Sequence, residues 1–385
     1  MKIRHCKSVI LIILCIAFVF TTVSCAKVAQ NQLAEENPPV TDNEPVTTPD
    51  SVPETDENKP TEDIEVPITP PETEQPVKSG YTNPLTGEEV PEDISHKRPI
   101  AVMINNYPDA MPQLGISEAD IIYEMIVEGG ITRMCAIFQD VDPETILGSI
   151  RSSRHNYLDL VKAHDALYIH AGGSEQAYKD LVSRDIDNIC GVRGPGAGVF
   201  YRDDARLATM NYEHTLCFKA ETALEYFKND SGYRLEHNDD YQCNMQFTDD
   251  VTLVEASSAT DINIDFGQGK KSTYSYNEEE QVYTIYQHGE DYYDGNTGET
   301  VAFKNLIIIQ TSVKTIDNSG HREITLTGTG NGWFICNGQI CEIEWSRSDR
   351  DAQFEYSYAD GTPIVFGVGK TYIGVISNSG TVDYE

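Results

Sequence analysis

Residues 120–138 read DIIYEMIVEGGITRMCAIF. Two apolar, strand-forming runs flank Gly129-Gly130. Paired glycines accept the backbone of a tight turn, so the stretch is expected to fold as an antiparallel hairpin. Side chains alternate along a strand, which would place Ile122, Glu124, Ile126 and Glu128 on one face. The hairpin sits among signals of a different kind. Pro99–Ile104, Thr145–Ile150 and Ala166–His170 read as short apolar strands. Tyr157, Leu158, Leu160 and Val161 recur at helical spacing in a segment starting near Ser152. Gly172-Gly173-Ser174 opens another helix, with Ser174 as N-cap and Glu175 in the first turn. Ala205–Met210 and Glu221–Phe227 add further helices. Strands alternating with helices indicate an α/β layer, and the hairpin makes its sheet mixed.

From residue 246 the texture changes. Turn signals recur at Asp294-Gly295, Asn318-Ser319-Gly320, Asn331-Gly332, Asn337-Gly338 and Asp360-Gly361. Strands rich in Val, Ile, Tyr and Thr lie between them, as in Leu306–Gln310 and Glu323–Thr327. The expected class is therefore α+β. A mixed α/β domain over 81–245 is followed by a mainly antiparallel, sandwich- or barrel-like β domain over 246–385. In WFICNGQICEIEW, the Asn337-Gly338 turn pairs Cys336 with Gln339 and Phe334 with Cys341. The two cysteines then sit diagonally, beyond the reach of a relaxed disulfide. Cys190 and Cys217 remain open to pairing or to separate existence.

The first residues read as a targeting signal. Lys2, Arg4 and Lys7 precede an uninterrupted apolar run over 9–20, which is short for a membrane span. Thr22-Val23-Ser24-Cys25 follows, so 1–25 is expected to be a lipoprotein signal with the lipid on Cys25. Residues 26–80 hold ten of the chain's 18 prolines, with 13 acidic and 3 basic residues. Such a segment buries too little apolar surface to fold and reads as an extended tether. The expected location is the extracytoplasmic face of the cell membrane, held there by the lipid. The chain carries a net charge of −34, which speaks against nucleic acid as a partner.

Against that charge, arginines gather in one region. Arg133 follows the hairpin turn, and Arg151 and Arg154 flank Ser152-Ser153 in GSIRSSRHNY, residues 148–157. Guanidinium groups beside helix N-termini bind carboxylate or phosphate bidentately. The candidate anion site therefore comprises Arg133, Arg151, Ser153, Arg154, His170, Gly172, Gly173 and Ser174. Glu124 and Glu128 are candidate ion-pair partners, in which case the arginines serve structure alone. The same two glutamates, with His170, could instead serve as acid–base groups of a cell-wall hydrolase or transferase. Catalytic templates otherwise fail. Gly172-Gly-Ser-Glu-Gln176 lacks the second glycine of a nucleophile elbow, and no C-x-x-C or H-E-x-x-H supports a metal. No cofactor is expected. Tyr274, Tyr276, Tyr283, Tyr286, Tyr292 and Tyr293 could stack on sugars, or simply fill strands.

Five motifs in order carry a family resemblance: NPLTG at 83–87, RPIAVMINN at 98–106, EGGITR at 128–133, GSIRSSR at 148–154 and HAGGS at 170–174. With GTGNGWF, Trp345 and GKTYIGVI further on, the chain resembles the YerB-like lipoproteins. The resemblance spans 81–378. It implies a two-part extracytoplasmic domain of unknown function and assigns no catalytic residue. It departs at Tyr372, where family members commonly carry tryptophan. It also implies work at the cell wall, on a wall component or beside a wall enzyme. The sequence thus points to a non-enzymatic binding or accessory module of the envelope.

Overall fold

The computed structural model describes residues 80–385, residue 231 excepted. The signal, Cys25 and all but the end of the tether lie outside the described residues. The strands named here are, in chain order, β1 (Ile100–Asn106), β2 (Ile121–Ile126), β3 (Thr132–Phe138), β4 (Ile146–Gly148), β5 (Leu167–His170), β6 (Asn188–Cys190) and β7 (Leu216–Lys219). There follow β8 (Asp261–Asp265), β9 (Lys271–Asn277), β10 (Val282–Gln287), β11 (Asn305–Thr311), β12 (Gly328–Cys336), β13 (Gln339–Arg347), β14 (Thr371–Ser377) and β15 (Thr381–Tyr384). The helices are α1 (His155–Ala163), α2 (Glu175–Ser183), α3 (Asp204–Leu207) and α4 (Ala220–Asn229).

The hairpin forms as expected, β2 against β3 with Met125 opposite Arg133. Gly129 and Gly130 turn it with φ of 71° and 76°. It lies inside a sheet of eleven strands whose order is Ser257–Ser258, β13, β12, β11, β14, β2, β3, β1, β5, β6, with Glu355–Ser357 added to β13. The class is α+β with a β-rich C-terminal part, and the sheet is mixed. What local spacing did not announce is that β14 pairs parallel with β2, Gly374 opposite Glu124, so the later strands continue the earlier sheet. Parallel pairing between distant segments needs only strands that tolerate burial on both faces. β2, β3 and β14 are buried along their whole length.

On one face, Ile122, Ile126, Met134 and Ala136 share a core with Ile262, Ile264, Phe266, Tyr274 and Tyr283 of a second, antiparallel sheet ordered β10, β9, β8, β15. On the other, Tyr123, Met125, Cys135 and Ile137 pack with Tyr157, Leu158 and Val161 of α1 and Ala177 and Leu181 of α2. Ser174 caps α2 as expected, its Oγ accepting the Ala177 N–H at 3.2 Å. Helix α1 begins at His155, later than the sequence suggests. The reason is that residues 151–153 stay extended and fill a seam. The Arg151 N–H donates to Met103 O at 2.8 Å, and the Ser153 N–H to Gly172 O at 2.9 Å. The strand before them, β4, joins a separate small sheet with β7 rather than the main one.

The Asn337-Gly338 turn has φ of 53° and 71°, and the expected register holds, with Cys336 opposite Gln339 and Phe334 opposite Cys341. Cys336 and Cys341 are free, as are Cys190 and Cys217. The sugar-stacking idea fails for three of its tyrosines. Tyr274, Tyr283 and Tyr292 are core residues at 0%, 0% and 3% exposure, because the inward face of the second sheet needs large side chains.

The alternation of β2 also ends before Glu128. Val127 and the turn after it rotate the chain, so Glu128 leaves the face that Glu124 shares with Ile122 and Ile126. Glu124 is 1% exposed and accepts from Asn106 Nδ2 at 2.9 Å, Thr132 Oγ1 at 2.5 Å and Tyr372 OH at 2.7 Å. Lys270 Nζ stands 3.9 Å away and donates to Gln287 Oε1 at 2.5 Å. Burial lowers the Lys270 amine, and Glu124 opposes that shift. Removing one member of such a pair strands a buried charge. Lys270→Met should cost about 3–5 kcal/mol in urea unfolding. Adding Glu124→Gln should restore at least about 1 kcal/mol of that loss. Simple additivity of the two losses would show that the charges do not interact.

Candidate functional site

Arg133, Arg151 and Arg154 come together where the β2–β3 turn meets the seam of residues 151–154. They do so on the helix-bearing face, because Arg133 alternates with Cys135 and Ile137. Each guanidinium meets an acceptor from the chain itself. Arg154 grips Glu128 bidentately, Nε to Oε1 at 2.5 Å and Nη2 to Oε2 at 2.8 Å. Arg133 donates from Nη1 to Ser152 O at 2.6 Å and places Nη2 3.7 Å from Glu128 Oε2. Its Nε is buried and has no hydrogen-bond partner. Arg151 reaches Glu213 at 2.7 Å. The turn holding His321 closes over the group, with Nε2 3.7 Å from Glu128 Oε1.

The electrostatics follow from crowding. Burial lowers the Arg133 guanidinium to about 10, and the neighbouring Arg154 and Arg151 charges push the same way while Glu128 resists. Burial alone would raise the Glu128 carboxyl, but the Arg154 bonds and charge, with Arg133, hold it below its ordinary value of 4.5. Three guanidiniums face two carboxylates. Glu128 is shared by two of them, and Glu213 is 55% exposed on its side chain. The local charge is therefore positive in a strongly acidic chain.

Other sequence candidates distribute differently. Ser153 is fully buried, and its backbone pairs with Gly173. Gly172, Gly173 and Ser174 border the seam. His170 does not face the arginines: its Nδ1 meets Gly172 O at 2.7 Å, and its ring stacks on Tyr168 at 4.9 Å between centroids. Glu124 lies across the sheet, inside the core. Glu124, Glu128 and His170 thus do not converge on one point. Sequence reasoning missed Glu213 and His321. Each comes from far along the chain, and no spacing ties it to the arginines.

A cavity of about 410 Å³ opens elsewhere on the helix-bearing face, walled by Tyr123, His164, Phe354, Tyr356 and Phe366. Its size suits a small ligand. No lysine or arginine lines it, so it offers an anion no counter-charge.

Comparison with known proteins places this geometry in context. Residues 85–233 match the N-terminal domain, and residues 262–373 the C-terminal domain, of a protein family of unknown function, DUF3048. The chain is 31% identical over 299 residues to "Putative lipoprotein YerB" of Bacillus subtilis, covering 76% of this chain and 85% of that one. The crystal structure of YerB protein from Bacillus subtilis superposes with a TM-score of 0.68 at 28% identity, covering 78% of this chain and 99% of that chain.

A pH test reads the Arg154–Glu128 pair. A carboxyl held below 4.5 in the folded state stabilises fully above that value, and the gain is lost as pH falls through the depressed one. Because the pair is partly solvated, Glu128→Gln should lower stability at pH 7 by only about 1–2 kcal/mol. The gap to the unsubstituted protein should narrow progressively as pH falls below 4.5, the carboxyl's ordinary value. A gap that is unchanged at pH 3 would contradict the assignment.

Proposed function

The chain belongs to the DUF3048 family, and from that membership and the arginine corner we propose that it is a lipid-anchored, non-enzymatic binding module of the cell envelope. The anchor is the lipid on Cys25, on the extracytoplasmic face. Among the described residues no helix is long and apolar enough to cross a membrane. We read residues 26–80, rich in proline and acidic side chains, as the tether that joins this anchor to the folded part.

The ligand is an anionic group, carboxylate or phosphate, of a cell-wall component or of a protein that works on the wall. One observation carries this reading. Arg133 and Arg154 share a single carboxylate, Glu128, and the buried Nε of Arg133 has no partner. A buried, unmatched N–H beside excess positive charge is a costly arrangement unless something else occupies it. Glu128 then acts as a placeholder, displaced when an external anion enters the corner. Arg151, whose own partner Glu213 is exposed, supplies a second arm.

The test is direct. Solubilised anionic cell-wall fragments should bind the purified chain, with affinity falling as salt rises. Replacing Arg151 and Arg154 together by alanine should weaken binding about tenfold or more, since charged hydrogen bonds contribute about 1.5–3 kcal/mol each. Unchanged affinity in that variant would sink the reading. Turnover of the fragments that disappears in Glu128→Gln would favour a hydrolase instead.

A further inference from the structure

The cavity of about 410 Å³ on the helix-bearing face is built from parts that the fold pins to one another. Its aromatic wall comes from the short strand Glu355–Ser357 and the residues around it. Phe354 and Tyr356 lie nearly parallel, 16° apart with ring centres at 5.9 Å. Phe366 stands almost at right angles to Tyr356, at 78° and 6.1 Å. Tyr356 sits opposite Trp345 of β13, and its carbonyl accepts the Ile364 N–H at 2.9 Å. The segment 244–246 is tied to the same wall. The Asn244 N–H donates to Gln353 Oε1 at 2.9 Å, and Asn244 Nδ2 donates to Phe354 O at 2.8 Å. A site whose walls are held before binding loses less freedom when it is filled.

The lining combines flat apolar rings with neutral hydrogen-bonding groups. Asn244, Gln246 and Gln353 bring amides, and Ser346 and Ser357 bring hydroxyls. His164 belongs to the lining too, 4% exposed, with Nε2 2.8 Å from Tyr123 OH. Burial, helped by the Arg347 charge, lowers that imidazole to about 4, so it is uncharged at neutral pH. Among the described residues, Glu355 brings the one formal charge of the lining. It is exposed and accepts from Ser346 Oγ at 3.0 Å. Two lining residues, His164 and Tyr356, also carry a buried polar atom with no hydrogen-bond partner, Nδ1 and OH respectively.

These walls select by chemistry. A hydrocarbon chain or a flat aromatic would cover the rings but take the amides and hydroxyls out of water unpaired, which is unfavourable. An anion finds no counter-charge. A cation would gain from Glu355, but the Arg347 guanidinium already stands 5.0 Å from the centre of the Phe354 ring and repels a second positive charge there. A pyranose ring meets every condition. Its C–H faces are apolar and lie flat on an aromatic ring, its hydroxyls radiate outward to amides and a carboxylate, and it carries no charge.

We propose that this cavity binds one unit of an uncharged sugar, a pyranose stacked on Tyr356 with its hydroxyls on Asn244, Gln246 and Glu355. The site shares no residue with the arginine corner, so it stands or falls independently of it.

The full chain is titrated at neutral pH with two uncharged rings, methyl glucoside and N-acetylglucosamine. Glucosamine and glucuronate serve as cationic and anionic analogues, and indole as an apolar ring. Saturation-transfer NMR reads the binding. Irradiating the aromatic protons of the chain should reach the ring C–H protons of at least one uncharged sugar, with no weakening as salt rises. Tyr356→Ala should weaken that affinity about tenfold. Gln246→Ala should weaken it about threefold. Gln246 is exposed, so its loss spares the fold and keeps the second readout clean if Tyr356→Ala misfolds. Absence of transfer to both uncharged sugars would overturn the proposal. Affinity left unchanged by both substitutions would overturn the site. Tighter binding of indole or of either charged analogue, lost in Gln246→Ala, would overturn the ligand class.

Discussion

The carboxylate of Glu124 lies at the centre of the molecule with almost no solvent, and the fold is arranged to receive it. Its acceptor sites are filled from four places: Asn106 on β1, Thr132 on β3, Tyr372 on β14 and, at longer range, Lys270 ahead of β9. A buried carboxylate without donors would cost several kcal/mol, so these elements are held to one mutual arrangement. Tyr372 brings a C-terminal strand against an N-terminal one. Lys270 ties the second sheet to the first. Tyr372 has aromatic neighbours as well. Here it packs 5.2 Å from Tyr274 and 5.6 Å from Phe303, and spends its hydroxyl on Glu124.

With that centre in place, the two ends of the hairpin strand have different fates. Glu124 goes inward, toward the second sheet. Glu128, past the rotation at Val127, goes to the helix-bearing face and meets Arg154 and Arg133. The seam of residues 151–153 between β1 and β5 delivers the arginines to the same corner. It also sets Gly172 where one side faces the seam and the other faces Cys190. The arginine corner and Cys190 thus lie on opposite sides of one loop, residues 170–174.

Much of this was legible locally. The Gly129-Gly130 turn, the Ser174 cap and the Cys336–Gln339 register each follow from residues within a few positions of one another, where turn and cap chemistry acts. The gathering of arginines was legible as a charge anomaly. The junction of β14 with β2 was not, since parallel pairing across some hundreds of residues leaves no spacing to read. Alternation misplaced Glu128 because the strand stops earlier than its apolar run. The tyrosines of the second sheet looked like a binding surface because the same residue type serves cores and ligands alike. Cys190 was weighed only for a disulfide. Its register neighbour across β5 and β6 is His170, which no local pattern connects to it.

The central claim is that Glu128 occupies, in the resting chain, the place of a ligand's anionic group. A placeholder and a structural pin make opposite predictions when its charge is removed. The decisive measurement is the affinity of the folded Glu128→Gln chain for anionic wall fragments, by titration at neutral pH and low salt. If Glu128 competes with the ligand, the variant binds several-fold more tightly than the unsubstituted chain, because Arg154 and Arg133 are freed while their positions are kept. If affinity is unchanged or falls, the arginines serve the fold alone, and the binding function lies elsewhere on the molecule.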